Sequence, residues 1–244
     1  VSTDQPWWEV AFGEQYDTVY AHRSDDAANA EVAGLLPRLA AAQGPVCDAC
    51  CGNGRHLQAM RAAGLAAVGF DFSAHLLTTA RHRAQKSAQK NFVARADIRT
   101  PPFATGAFAA VTVLFTAFGY FDDASNAAAL AGLASLLRPD GWLVLDLPHV
   151  DRLRANLVPT SERTAADGTV ILEKRHLEAS SVVKDVTVSR AGKVISTWQE
   201  RVRLYTDAEL TALAAADFTV ADRWPSLRGP DHDDARQVHW LRRR

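Results

Sequence analysis

No apolar run in this 244-residue chain approaches the roughly 20 residues that a membrane-spanning helix needs. The opening Val1-Ser-Thr-Asp-Gln-Pro6 also lacks the basic-then-apolar order of a secretion signal, so the expected location is cytoplasmic. Cysteine is scarce: all three, Cys47, Cys50 and Cys51, fall within five positions, which excludes a disulfide framework and suits a reducing compartment. Charge of one sign is missing as well. Lys and Arg total 27 against 28 Asp and Glu, and a net charge of -1 supplies no field for nucleic acid or an acidic membrane. The three arginines at the C-terminus read as a solvated tip. Neither a G-x-S-x-G elbow nor a Ser-His-Asp order occurs, which leaves hydrolase chemistry without support. Internal repeats are absent too.

What the chain does contain, between Val46 and Pro148, is an alternation of short apolar runs with alanine-rich helical stretches. That pattern predicts a parallel sheet covered by helices. Strands are expected at Pro45-Ala49, Ala66-Phe70, Asn91-Ala94, Ala109-Leu114 and Trp142-Leu147. Helices are expected at Arg55-Ala63, from Ser73 to about Ala88, and at Asn126-Leu137, with Asp122 and Asp123 as helix-start acids and Arg138-Pro-Asp-Gly141 as the breaker. Before the sheet, Trp7, Trp8, Phe12, Tyr16 and Tyr20, then Glu31-Leu39, predict two or three helices. After His149 the period shortens to that of an antiparallel meander. In its last strand Val194, Trp198, Val202 and Leu204 share one face and Arg203 lies on the other. Thr206-Asp-Ala-Glu209 is a capping box, and Phe218-Trp224 with Gln237-Leu241 closes the sheet as a hairpin. The fold expected is α/β, doubly wound: a mostly parallel seven-stranded sheet with an antiparallel C-terminal hairpin. It forms one domain over 1–244, with a helical cap over 1–40 and a β-meander over 160–205 on the substrate side.

A strand running into Cys51-Gly-Asn-Gly54 and a helix presents bare backbone amides at a helix N-terminus. Asp71 ends the next strand, where a carboxylate accepts hydrogen bonds from the ribose hydroxyls of an adenosine. A nicotinamide site shares both features, but Leu57 occupies the third position of G-x-G-x-x-G. A leucine there opposes the close packing that a dinucleotide site uses, and favours S-adenosylmethionine (SAM).

From about Tyr16 to the C-terminus the chain resembles the class I SAM-dependent methyltransferases. Asp48-Ala-Cys-Cys-Gly-Asn-Gly-Arg-His56 resembles their first motif, Gly69-Phe-Asp-Phe-Ser73 the second and Ala96-Asp-Ile-Arg99 the third, while Leu114-Phe-Thr-Ala-Phe-Gly-Tyr-Phe121 resembles the loop after the fourth strand. The resemblance implies a SAM site of Tyr16, Arg23, Asp48, Cys50, Gly52, Gly54, Asp71, Phe72, Asp97, Ile98 and Phe115. Within it Asp71 meets the ribose, Asp97 the adenine amino group, and Tyr16 with Arg23 the carboxylate. Arg23 has a second reading, as the partner of nearby Asp25 or Asp26. Cys50 stands where the first motif has a glycine, leaving Gly52 and Gly54 to carry the turn.

The implied reaction is methyl transfer to a small-molecule N, O or C nucleophile, leaving S-adenosylhomocysteine. His149 is the candidate general base, Tyr20 and Tyr120 border the acceptor, and Arg203 is the candidate holder of an anionic one. No metal is expected, because the histidines lack ligand spacing and Cys47-Asp-Ala-Cys50 has no second cysteine pair. The rival readings are a SAM- or S-adenosylhomocysteine-binding regulator without transfer chemistry and, less favoured, an NAD(P)-dependent oxidoreductase.

Overall fold

A computed structural model of the chain describes residues 6–86 and 93–244. The predicted strand positions Asn91 and Phe92, and helix positions Ser87 and Ala88, lie outside the described residues. Three helices come first: α1 (Trp7–Ala11), α2 (Tyr16–Val19) and α3 (Asp25–Ala41). Ser24 starts α3 by accepting the Ala27 N–H at 3.1 Å, with Asp25 and Asp26 in the first turn to complement the helix dipole.

The sheet is then laid down as β1 (Val46–Ala49), α4 (Arg55–Ala62), β2 (Ala67–Asp71), α5 (Ala74–Lys86), β3 (Val93–Arg95), β4 (Phe108–Val113), α6 (Asp123–Leu136) and β5 (Leu137–Pro148). Every residue of β1 and β4 is buried, as strands covered on both faces require. Asp122 caps α6 by accepting the Ser125 N–H at 2.8 Å, so the helix begins earlier than its apolar repeat suggests. β5 begins at Leu137 rather than Trp142. Leu137 pairs with Phe108, and the ladder breaks register before resuming at Trp142, with Asp140 at a φ of 61°.

A second, four-stranded antiparallel sheet follows α7 (Val150–Ala155). It comprises β6 (Thr160–Thr164), β7 (Thr169–Glu178), β8 (Ser181–Arg190) and β9 (Lys193–Arg203), in that spatial order. Then α8 (Asp207–Ala214) opens on the expected Thr206–Glu209 capping box, and β10 (Phe218–Trp224) and β11 (Arg236–Arg243) return antiparallel to complete the first sheet. Its order is β10-β11-β5-β4-β1-β2-β3, with β5 to β3 parallel. The chain winds outward in both directions from β1 and β4, and open sheets bind ligands at the carboxyl ends of such a switch point. The C-terminal arginines are tied down rather than free: Arg242 and Arg243 pair with Asp140 and Asp217, and Arg244 donates to the Phe218 carbonyl.

Leu57 is fully buried and packs with Val46, Met60, Ala67 and Trp240 on one side of the sheet. On the other side Phe70, Leu130, Leu133 and Leu145 form the larger core. Gly69 in β2 is where the loop after β1 comes closest. A Cβ there would lie 2.9 Å from both Cβ and Sγ of Cys51. Because the obstruction includes an atom fixed to the backbone, Gly69→Ala is expected to cost about 1–3 kcal/mol, read as a lowered urea midpoint. An unchanged midpoint would show that the loop yields freely.

Candidate functional site

At the carboxyl ends of β1, β2 and β4 lies a cleft lined by Asp48, Gly52, Asp71, Phe72 and Phe115. Its floor is the β1–α4 loop. Cys50 sits there at a φ of 57°, in the left-handed region that glycine adopts without strain, so the missing motif glycine leaves its conformation behind. Gly52 and Gly54 follow at φ of 54° and 78°. Gly54 is the residue before α4, and a Cβ on it would meet that of Ala80 at 3.0 Å.

Asp71 holds this floor to β2. One carboxylate oxygen accepts the Gly52 N–H at 2.8 Å and the other the Ser73 N–H at 2.8 Å. Burial nevertheless pushes the carboxyl up to about 6, against those two backbone donors. Phe72, Asp97 and Ile98 line the same end of the cleft. Asp97 is held by Arg99 through both carboxylate oxygens, at 3.0 and 2.6 Å, and that pairing lowers its pKa.

The opposite end is charged. Asp48, 2% exposed, accepts from the Thr112 hydroxyl at 2.8 Å through one oxygen, while its buried Oδ2 has no protein partner. Burial raises its pKa, opposed by His56, Thr112 and Arg55. Arg23 donates to the Tyr16 hydroxyl at 3.1 Å, and its buried Nε is also unpartnered. The alternative partner Asp25 instead binds Arg83. Phe115 forms the wall between these groups. Its ring centroid lies 4.9 Å from the Arg23 guanidinium, 4.2 Å from that of Arg55 and 5.8 Å from that of Arg236.

Phe115 and Thr116 are both left-handed, at φ of 59° and 60°, a strained pair that needs a cause. Asp146 at the end of β5 provides it. Fully buried, this side chain accepts the Phe115 N–H at 2.7 Å and the Arg236 Nε–H at 2.7 Å. Arg236 in turn donates to the Thr116 hydroxyl at 2.9 Å. Sequence reasoning missed Asp146 and Arg236, which lie far apart in the chain. It also missed Arg55 and Glu31, whose carboxylate meets His56 at 2.6 Å and Arg55 at 3.5 Å.

Trp8, Phe12 and Tyr16 close the cleft from above. Trp7 and Phe12 pack on Tyr120 at 4.8 and 5.9 Å between centroids, and Trp8 on Phe121 at 5.3 Å. Ser73 donates to the Phe12 carbonyl at 2.6 Å and Asn53 to Asp17 at 3.3 Å, fastening this cap to the loops after β1 and β2. Tyr120 lines the cleft, whereas Tyr20 lies behind it, donating to Glu200 at 2.6 Å and accepting from Lys184 at 2.9 Å. Burial pushes both phenols well up, so neither is a base at neutral pH.

His149 and Arg203 are not brought to the cleft. His149 lines a separate depression with Thr206, Arg223 and Gln237, because β5 runs past the cleft before α7 begins. Arg203 is turned to the outer face of β9, where it pairs with Asp123 and Glu209 at 3.3 and 2.7 Å. Among the described residues, no group of three or more His, Cys, Asp or Glu is placed to hold a metal ion, and no helix is long and apolar enough to cross a membrane.

With this geometry in hand, the sequence comparison is specific. Residues 46–141 match the family model described as a methyltransferase domain. Over 85 residues the chain is 39% identical to the demethylmenaquinone methyltransferase of Thermus thermophilus, covering 35% of this chain; it spans only about a third of that relative's length, 37%. Similar solved structures span nearly everything. The CcbJ methyltransferase of Streptomyces caelestis superposes with a TM-score of 0.78 at 21% identity, covering 96% of this chain and 98% of its own. CalS10 of Micromonospora echinaspora, described as an amino pentose methyltransferase with SAM bound, gives 0.70 at 23% identity, covering 95% and 97%. The fold is therefore the methyltransferase fold, second sheet included.

Replacing Asp146 by alanine removes the acceptor for Phe115 N–H and strips Arg236 of its counter-charge. A stability loss of about 3 kcal/mol is expected in denaturant titration. A loss below about 1 kcal/mol would mean that the strained loop is held by something else.

Proposed function

We propose that the protein transfers a methyl group from SAM to a small-molecule acceptor. The observation that carries this reading is a cleft with two chemically different ends. At one, Asp71, Phe72, Asp97 and Ile98 suit a nucleoside. At the other, the unpartnered Asp48 Oδ2 and Arg23 Nε suit the ammonium and carboxylate of an amino acid. A dinucleotide has no amino-acid end, and Leu57, packed in the core, leaves no glycine for its pyrophosphate turn.

When bound, SAM supplies a methyl carried on a sulfonium, which an acceptor lone pair displaces in line. In this reading Asp71 holds the ribose, Cys50, Gly52 and Gly54 shape the floor, and Phe115 and Tyr16 border the methionyl chain. The cap over residues 6–40 and the 160–205 meander exclude water. Tyr120, kept neutral by burial, orients the acceptor by hydrogen bonding, and the main catalytic effect is proximity. Placement away from the cleft favours structural roles for His149 and Arg203. The near-neutral net charge and the description of CalS10 as an amino pentose methyltransferase both support a small-molecule acceptor over nucleic acid.

Calorimetric titration with SAM, S-adenosylhomocysteine and NAD tests the reading. Both sulfur ligands are expected to bind and NAD is not; silence from both would refute it. Radiolabelled methyl transfer into a metabolite extract then separates an enzyme from a binding regulator. The raised pKa of Asp71 gives a second expectation. Between the ordinary carboxylate range and about 6 the carboxyl is protonated in the folded protein, losing an acceptor for the ribose. S-adenosylhomocysteine should therefore bind about tenfold more weakly at pH 5 than at pH 7, and Asp71→Asn should flatten the profile. An identical profile in that variant would remove Asp71 from the ribose.

A further inference from the structure

The charged end of the cleft contains a cation that the SAM reading so far leaves unused. Arg55 is the first residue of α4, directly after Gly54, and is 7% exposed. Its guanidinium lies 4.2 Å from the centroid of Phe115, whose ring also has the Arg23 guanidinium at 4.9 Å. Glu31 reaches Arg55 only at 3.5 Å and is committed to His56 at 2.6 Å. The Nη2 of Arg55 is buried with no protein partner.

A guanidinium carries five donors in a rigid plane, and burying one unsatisfied is costly. Of the three arginines around the Phe115 ring, the two that line this cleft, Arg23 and Arg55, each have a buried nitrogen left over. Asp48, in the same cleft, has a carboxylate oxygen left over. The three orphaned groups amount to two cationic donors and one anionic acceptor. That set is complementary to a zwitterionic α-amino acid, with its carboxylate shared between the arginines.

We infer that Arg55 is a second carboxylate-binding residue which, with Arg23, makes the α-carboxyl group of the cofactor a requirement for tight binding. This rests on the SAM reading above and deepens it. The protein then discriminates against adenosyl ligands that lack the carboxyl group, such as decarboxylated SAM and 5′-methylthioadenosine. Phe115 is the spacer: stacked on both guanidiniums, it keeps them apart and fixes their planes, which a lysine in place of Arg55 would not reproduce.

The test is calorimetric binding of S-adenosylhomocysteine and of 5′-methylthioadenosine to the parent, Arg55→Gln and Arg55→Lys. The parent should prefer S-adenosylhomocysteine. Arg55→Gln should lose about 10- to 100-fold on that ligand, the effect of one charge-assisted hydrogen bond, while 5′-methylthioadenosine binding stays within about twofold. Arg55→Lys should fall between. Unchanged S-adenosylhomocysteine affinity in Arg55→Gln overturns the inference. Equal losses on both ligands overturn it too, since they mark a structural role. If Arg55→Gln does not fold, Arg55→Lys carries the same comparison, and parental affinity for S-adenosylhomocysteine in that variant overturns the inference. A parent that binds neither ligand refutes the SAM reading itself, an outcome separate from the other three.

Discussion

The buried carboxylate of Asp146 fixes the geometry on which the cleft depends. β5 delivers it to the sheet edge, where it takes the Phe115 N–H and the Arg236 guanidinium together. An ion with no exposure is tolerable only when paired and hydrogen-bonded on both oxygens, and here both are used. The consequence is a loop after β4 held in two successive left-handed conformations that neither phenylalanine nor threonine would choose. That loop turns the Phe115 ring toward the turn before α3 and the start of α4, where Arg23 and Arg55 stack on it. One anion on β5 thus positions a wall of the cleft, and through the wall the cations at its charged end.

Much of this architecture was legible in the sequence because it rests on local rules. The alternation of apolar runs with helical stretches placed the five central strands to within a few residues, and the Thr206–Glu209 capping box marked the start of α8. The first edge of the meander, β6, was harder to see: Thr160-Ser-Glu-Arg-Thr164 has no apolar residue at all, and its pairing with β7 is what makes it a strand. Leu137 as a strand residue was hidden for a similar reason, since its helical spacing with Leu130 and Leu133 outweighed a pairing with Phe108 that only the fold reveals.

The floor of the cleft was readable for the same reason as the strands. Asp48, Gly52, Gly54 and Asp71 sit at fixed offsets from strand ends, and their positions follow once the strands are placed. Asp146, Arg236 and Glu31 have no such signature. Each acquires its partner across a distance of 25 to 90 residues in the chain, where no periodicity operates. His149 shows the converse failure. Its place after β5 was read correctly, yet position at the sheet edge does not give direction, and it opens onto a different depression.

The cap illustrates how weak elements acquire a fixed place. α1 has five residues and α2 four, too short to be stable alone, since nucleating a helix costs more than a single turn returns. Two unlike sets of contacts hold them. Toward the cleft the grip is aromatic: Trp7, Trp8 and Phe12 against Tyr120 and Phe121. Toward the second sheet Ala11, Val19 and Tyr20 join Ile171, Val186, Val188 and Trp198 in one apolar cluster, and polar bonds run alongside it: Tyr20 bonds Glu200 and Lys184, Trp198 donates to the same carboxylate at 2.9 Å, and Arg163 reaches the Val19 carbonyl. Aromatic contact is tolerant of sliding, while a hydrogen-bonded buried ion pair has one satisfactory arrangement. Apolar packing on both sides therefore supplies the burial and the hydrogen-bonded ions supply the register, which sets where Tyr16 and Arg23 stand over the cleft.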